Sequence, residues 1–396
     1  MISILVLAAL AGFTQPAVAG GLTGNLQSDY YIYQDAGGND RFAFVQSFSG
    51  DLTKPLFGRN GWNVSFGGEF RDSNMPVKGY EDVRISSLIL AKKIAHNKVS
   101  LRLGRFMARA GGFSSIDGLE IGLPTMKVRS TFAVGSEHYA LYRTDASALP
   151  ERTRAAALFE GKIHKMLKWK VDHVTRFKDG DVDDQLTTLG LRHARIHNFS
   201  WDARFGYDSN QSTLRDLMAA VTYKPSDHLQ ISLRYTERRY RIYQDSFFAR
   251  FEVEPTKLAG LTARYHLTKS DLWLGLGVNH RIREEGDLDR IFVSLASDMG
   301  ELGLRLQTGD DMEQIGGWFS AGGNFLPRLN WGVTVNFDRW ESAWNAESTE
   351  EWANSLMLGY ELASIADIEC RVEQFRTAEL DSDIRGLLTF KMRYGI

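Results

Sequence analysis

The chain has 396 residues, with 47 Lys and Arg against 49 Asp and Glu. Its formal net charge of −2 excludes a nucleic-acid binder by bulk charge and a disordered acidic tail. The one cysteine, Cys370, excludes an internal disulfide framework and any metal or iron–sulfur cluster held by cysteines. Beyond the first residues, no apolar run approaches the roughly 20 residues that a membrane-spanning helix needs. A helical membrane protein is therefore excluded, but a membrane barrel is not.

The first residues resemble an export signal. Residues 4–13 form a short apolar core, and Ala17-Val18-Ala19 before Gly20 is the small-x-small pattern cut by signal peptidase. We therefore expect a signal peptide at residues 1–19 and a mature chain at 20–396. No Lys or Arg precedes the apolar core, so either the true start lies upstream or the signal is atypical. An uncleaved anchor is the alternative.

Most of the remaining chain alternates apolar with polar or small side chains. In one example, Leu272, Leu274, Leu276 and Val278 alternate with Trp273, two glycines and an asparagine. A period of two is that of a strand whose faces meet different environments. No stripe with the 3.6-residue period of a helix is sustained, so the predicted fold class is all-β with little helix.

The connections between these strands alternate between short turns and longer polar loops. Ten short turns and eleven longer loops give about 22 strands (range 18–22) in one up-and-down antiparallel transmembrane β-barrel. The prolines of the mature chain lie in or beside the connections and interrupt no strand centre, as their missing N–H requires. Because the first strand follows the signal directly, we expect no plug domain.

Alternation alone does not decide which face is dry, since a soluble sandwich also alternates. Three features favour lipid on the outside: the absence of a linker, connections that are all local, and aromatic residues near the ends of the apolar faces. A secreted soluble β protein remains the alternative. The aromatic residues expected to form interfacial girdles are Trp62, Phe70, Trp169, Trp201, Tyr207, Tyr223, Tyr265, Trp340 and Tyr394.

These features together resemble a Gram-negative outer-membrane β-barrel. The C-terminal strand LLTFKMRYGI and the stretch LRLGRFMARAGGFSSIDGLEIGLP, residues 101–124, carry the more specific likeness to porin-like barrels. The resemblance implies a bacterial outer-membrane location. Such barrels usually end in an aromatic residue, whereas this chain ends in Ile396 with Tyr394 two residues before it.

Charge separates by side in this scheme. Acidic residues outnumber basic ones in the longer loops, and basic residues outnumber acidic ones in the short turns. We expect the acidic rim at the cell exterior, because barrels of this type carry their longer loops there. An acidic mouth concentrates cations, or binds divalent ions that bridge it to lipopolysaccharide, unless the loops are simply solvated.

The polar faces inside the ring carry charges of both signs, which require a wet lumen. Neighbouring charges could instead pair across the sheet and only stabilise the wall. The loop at 105–117 is expected to fold inward. The predicted pore-lining residues are Glu69, Arg71, Arg84, Arg102, Arg105, Arg109, Lys168, Lys170, Asp172, Arg192, Asp202, Arg204, Arg234, Arg264, Arg305, Asp338, Glu369, Arg371, Glu373, Lys391 and Arg393.

No motif indicates catalysis, a cofactor or a resident metal. Ser136, Glu137 and His138 form a lone triad-like cluster that we do not interpret as catalytic. The loop DGDVDD begins like a calcium loop but lacks the Gly at position six and the Glu at position twelve, so a weak surface cation site is the most it indicates.

The predicted function is a porin-like passive channel for small hydrophilic solutes, not an enzyme. The expected partners are outer-membrane lipid, lipopolysaccharide and the solutes, with no nucleic acid. The alternatives are a structural or adaptor barrel that sheathes a partner or binds lipopolysaccharide, and a secreted soluble carbohydrate-binding β protein. The sequence leaves the solute and the oligomeric state open.

Overall fold

The computed structural model describes residues 21–34, 39–52, 61–73, 83–94, 99–112, 114–125, 127–138, 152–239, 255–283, 286–310, 312–342, 345–377 and 382–395. The predicted signal peptide at 1–19 lies outside the described residues. The described part of the chain forms 22 strands and contains no helix that could cross a membrane. The all-β prediction and the strand count are confirmed.

The strands are, in chain order, β1 (Leu22–Gln34), β2 (Asp40–Leu52), β3 (Asn63–Ser73), β4 (Val83–Ile94), β5 (Val99–Met107), β6 (Ser115–Pro124), β7 (Val128–His138), β8 (Arg152–His164), β9 (Leu167–Lys178), β10 (Asp181–Ile196), β11 (Phe199–Asp208), β12 (Thr213–Tyr223), β13 (Leu229–Arg238), β14 (Thr256–Leu267), β15 (Leu272–Ile282), β16 (Leu288–Ser297), β17 (Gly300–Gly309), β18 (Met312–Leu326), β19 (Leu329–Ser342), β20 (Asn345–Ala363), β21 (Ala366–Arg376) and β22 (Asp383–Gly395).

The sheet closes on itself. Each strand pairs antiparallel with the next along the chain, and β1 also pairs with β22, in a register that joins Leu26 to Met392 and Asp29 to Thr389. Closure gives every described strand a hydrogen-bonded neighbour on both sides, whereas an open sheet edge would leave backbone groups that lipid could not satisfy. The architecture is the predicted up-and-down barrel. The connections do not alternate strictly in length, because β9–β10, β17–β18 and β19–β20 are each joined by two residues on the rim where longer loops were expected.

The two faces of the wall differ in chemistry. One face carries a continuous exposed apolar surface, illustrated by Leu276, Leu304 and Leu356, each at least half exposed. The other face carries the charges, and there Arg176 Nε reaches Glu137 Oε1 at 2.6 Å across the intervening strand β8. Arg305 likewise reaches Asp338 across β18. Side chains converge on the concave side of a curved sheet, so the face on which these charges meet is the inside.

The register corrects one of the predicted girdle residues. Trp62, Trp169, Trp201 and the other aromatic residues of that set share the outward face with the apolar residues. Trp340 is the exception, because it pairs with Gln314, whose side chain donates to Asp338 on the inner face. Trp340 lies two residues after Asp338 in a ladder with β18 that is regular through both, so the alternation of the strand sends both side chains to the lumen.

Replacing Leu276 by Arg places a charge on the lipid face in the middle of β15, where Leu276 is 52% exposed. We expect a loss of about 2–4 kcal/mol in the free energy of unfolding. Guanidinium titration of the barrel in lipid vesicles measures this loss. The matched control, Thr262→Arg, lies on the inner face of β14 opposite Gly277 and should change the free energy by about 0.5 kcal/mol or less. Equal losses in both variants would contradict the assignment of the faces.

Candidate functional site in the barrel lumen

The structure places the strand residues of the predicted pore-lining set on the inner face, with one exception. That placement follows from register: Glu69 pairs with Arg84, and Arg192 with Asp202. Arg109 lies between β5 and β6 in a segment that folds against the inner wall.

Arg105 is the exception and lies on the outer face. It is the direct partner of Leu88, which is half exposed among the apolar residues of β4. Its guanidinium binds Asp117 through two hydrogen bonds, at 2.7 and 2.8 Å, and donates to the carbonyl of Ile85 at 2.9 Å. Arg102 and Arg105 are three residues apart, so a continuous strand sends them to opposite faces. The prediction that Arg105 lines the pore is therefore not supported.

Several lumen charges pair across the sheet, which the sequence left as an alternative. Glu369 accepts from Arg371 at 2.8 Å and lies 3.8 Å from the ammonium of Lys391. A few strands away on the same side of the ring, Arg305 of β17 pairs with Asp338 of β19, which also accepts from Gln314 at 2.8 Å. These residues form a neutralised wall, in which each cation has a carboxylate partner.

The segment after β5, residues 108–112 and 114, folds inward and packs on β6 to β9. Ala108 and Ala110 are buried together with Phe106 and Ile116. We call residues 108–112 and 114 the inserted segment. Its described residues fold back on themselves through the hydrogen bond from Ala108 N–H to the carbonyl of Ser114, at 3.0 Å.

Buried charged side chains hold the backbone of the inserted segment. Glu120 accepts from the N–H of Arg109 at 2.8 Å, and Asp172 accepts from the N–H of Gly111 at 2.5 Å. Arg154, which is fully buried, donates to the carbonyl of Ala110. Three wall residues from β6, β8 and β9 therefore fix the path of the segment.

Arg154 also connects the inserted segment to a network of charged side chains on the inner wall. Glu137 accepts from Arg176 at 2.6 Å and lies 3.6 Å from Arg154, and Arg176 also donates to Asp184 at 2.6 Å. Sequence reasoning missed Glu137, Arg154 and Arg176 as part of the site. The alternation within each strand places all three side chains on the inner face, and this was the available signal. Nothing in the local sequence shows that the register of β7, β8 and β9 brings them together.

The other motifs singled out in the sequence have different roles here. Glu137 belongs to the arginine network, and Ser136 lies one position away on the opposite face of β7, so the triad-like cluster is split by the strand. In DGDVDD, Asp184 turns inward to Arg176. Among the described residues, no group of three or more candidate ligands could hold a metal ion.

The inner wall from β8 to β12 differs from the neutralised wall because it is rich in basic side chains. A cavity of about 730 Å³ opens there. Its charged lining residues are Lys127, Arg129, Glu160, Lys162, Lys168, Lys170, Arg192, Asp202 and Arg204. The wall from β15 to β19 instead presents aromatic rings that lie over glycines, with Phe292 over Gly277 and Trp318 over Gly303. The lumen therefore has sectors of different chemistry.

Comparisons with known proteins bear on the fold. No protein-family model matches the chain, and no curated protein matches it in sequence. The solved structure of the P pilus usher PapC translocation pore is similar in fold, with a TM-score of 0.52 at 9% identity over 95% of this chain and 99% of that one.

Porins give lower scores. A BenF-like porin from Pseudomonas fluorescens Pf-5 has a TM-score of 0.46 at 11% identity, over 96% of this chain and 99% of that one. OccAB1 from Acinetobacter baumannii has a TM-score of 0.44 at 10% identity, over 97% of this chain and 99% of that one. Of these likenesses, the one to the usher pore supports the closed-barrel fold.

Replacing Gly111 by Ala should displace the inserted segment from the wall. The new Cβ would lie 2.8 Å from the Cβ of Ala156 and 2.9 Å from that of Val174, and such overpacking costs about 1–3 kcal/mol. We expect tryptic cleavage after Arg109, followed by mass spectrometry, to become about tenfold faster.

Gly112→Ala is the matched control for Gly111→Ala. Both glycines have a positive φ, +77° and +81°, so both variants carry similar backbone strain, but nothing lies within 4 Å of a Cβ at Gly112. Equal acceleration in the two variants would show that strain, and not contact with the wall, controls the segment.

Replacing Glu137 by Gln removes the carboxylate between two guanidinium groups. Arg154 is fully buried and Arg176 largely so, and we expect a loss of about 3–5 kcal/mol in the free energy of unfolding. Glu160→Gln is the control, because Glu160 pairs with the exposed Arg129 at 3.3 Å and should cost about 0–1 kcal/mol. Guanidinium titration compares them, and a loss at Glu137 no larger than at Glu160 would argue against a structural role for the network.

Proposed function

We propose that the chain is a porin-like passive channel for small hydrophilic solutes across the bacterial outer membrane. The observation that supports this most strongly is the density of exposed charges on the concave face of a closed barrel. Lys168, Arg192, Arg234 and Arg393 all lie there with exposed side chains. Charges at this density are stable only in water, because desolvating each one costs several kcal/mol.

The size of the ring supports a water-filled path. Strands spaced about 4.8 Å apart and tilted by about 40° give a 22-strand ring a backbone diameter of about 40 Å. Rings of 16–18 strands already enclose an aqueous channel. The inserted segment covers the inner wall in front of β6 to β9 and narrows the path there. Solute selection is then set by the charged inner wall and the inserted segment.

The outer face supports a membrane setting. Its apolar surface extends around the ring, and Lys92 lies 5.6 Å from the ring centre of Trp62 at the turn-side end of β4. A lysine beside a tryptophan suits the boundary between lipid and water. We propose outer-membrane lipid and lipopolysaccharide as the surroundings of this face, with the longer, acidic connections at the cell exterior.

Single-channel recording of refolded protein in planar bilayers tests the proposed channel. We expect stable, ohmic conductance steps in concentrated KCl, because the charged lumen is hydrated. Detergent without protein is the control. A barrel that inserts, as shown by heat-modifiable migration and vesicle flotation, yet passes no current would overturn the channel and favour the structural or adaptor barrel.

A further inference from the structure

We propose that a row of three basic side chains, Lys162, Lys168 and Arg192, binds a small oxyanion that carries two or more negative charges. This inference rests on the proposed channel function and names its substrate class. The site lies on the inner wall near the ends of β8, β9 and β10 that lead into the short turns.

The three residues occupy one cross-strand row. Lys168 is the direct register partner of Lys162 on β8 and of Arg192 on β10. Directly opposed side chains in a sheet lie about 5 Å apart at their Cβ atoms, and like charges in such positions destabilise the sheet. Two consecutive like-charged pairs therefore repel each other, and an anion bound between them would relieve this repulsion.

Basic residues around the row have carboxylate partners, which makes the row distinct. Arg129 pairs with Glu160 at 3.3 Å, Lys170 lies 3.3 Å from Asp172, and Arg204 pairs with Asp216.

Within the described chain, no ion pair involves any of the three row residues. The next residue of the row, Asp202, is the register partner of Arg192, but the two side chains do not form an ion pair. The row keeps a net excess of positive charge.

The space in front of the row suits a ligand. Lys162, Lys168 and Arg192 line the 730 Å³ cavity, which is within the range of small-molecule sites. Gly190, one inward position along β10 from Arg192, leaves this surface open, since a Cβ there would meet only Lys170, 3.7 Å away. The cavity therefore has room for a molecule with several oxygen atoms.

The side-chain types define the chemistry of the ligand. Arg192 offers a planar fork of donors that matches a carboxylate or a phosphate, and two ammonium groups beside it add point charges. A single negative charge would neutralise one of the three cations, so a di- or tricarboxylate or a phosphate ester fits best. Carboxylates and phosphates share this oxyanion chemistry, and the experiment below distinguishes them.

Single-channel recording tests the site, with citrate and inorganic pyrophosphate as separate probes. We expect one or both to reduce the KCl current in a saturable way. The triple variant Lys162→Gln, Lys168→Gln, Arg192→Gln should raise the half-blocking concentration about tenfold or more, which corresponds to the loss of about one charge-assisted contact. It should also shift the ratio of chloride to potassium permeability, measured in a KCl gradient, toward potassium relative to the unmodified protein.

The control is the double variant Lys391→Gln, Arg393→Gln. It removes two lumen cations from β22, which lies across the ring from β8 to β10. It should leave the half-blocking concentration within about twofold of the unmodified protein. Equal weakening in the control would assign the effect to general lumen charge and overturn the site. Block by pyrophosphate alone, or by citrate alone, identifies which oxyanion class binds.

A protein that conducts but is blocked by neither probe also overturns the site while the channel function stands. If the barrel is silent, the proposed channel fails, and titration calorimetry of citrate and pyrophosphate into the refolded barrel in detergent decides the site by itself. Binding lost in the triple variant and kept in the control supports the site, and absence of binding overturns it.

Discussion

The structure depends on one constraint: in lipid, every backbone N–H and C=O must find its partner within the protein. An open sheet of 22 strands would leave two edges unsatisfied, and the pairing of β1 with β22 removes both. This pairing joins residues more than 350 positions apart, as in the hydrogen bond from Thr389 to Asp29. Once the ring is closed, each strand has a lipid side and a lumen side, and the chemistry of the two sides follows from the alternation.

Closure also concentrates charge in a confined volume, and the protein deals with it in two ways. Around Asp338 and Glu369, the basic groups of Arg305, Arg371 and Lys391 each have a carboxylate partner, which neutralises this part of the wall without a ligand. Under the inserted segment, Glu120, Asp172 and Arg154 use their hydrogen-bonding capacity on the backbone of a neighbouring loop. Both arrangements satisfy buried charge, which is costly when left unpaired.

The basic wall from β8 to β12 follows neither arrangement completely. The row of Lys162, Lys168 and Arg192 lies on β8 to β10, and the inserted segment packs on β6 to β9. The narrowing of the path and the excess of positive charge therefore occur in the same sector of the ring. On the other side of the lumen, Phe292 and Trp318 cover glycines of adjacent strands, which stabilises a sheet where a glycine contributes no side chain. A channel with walls of different chemistry orients a charged solute toward one of them.

The alternation of side chains by itself determined the all-β fold and the number of strands, because a period of two is a local property of the backbone. It also placed Glu69, Arg192 and Asp338 on the lumen face, since their parity within each strand is unambiguous. Tertiary structure decided the rest. Arg105 was misplaced because the inserted segment begins after β5, so Arg105 still follows the alternation of that strand. Trp340 was misplaced because it has the parity of the inward Asp338, and the ladder with β18 continues regularly through it. The cluster of Glu137, Arg154 and Arg176 and the row of Lys162, Lys168 and Arg192 exist only through register, because the hydrogen-bond ladder, and not spacing along the chain, sets which residues stand opposite each other.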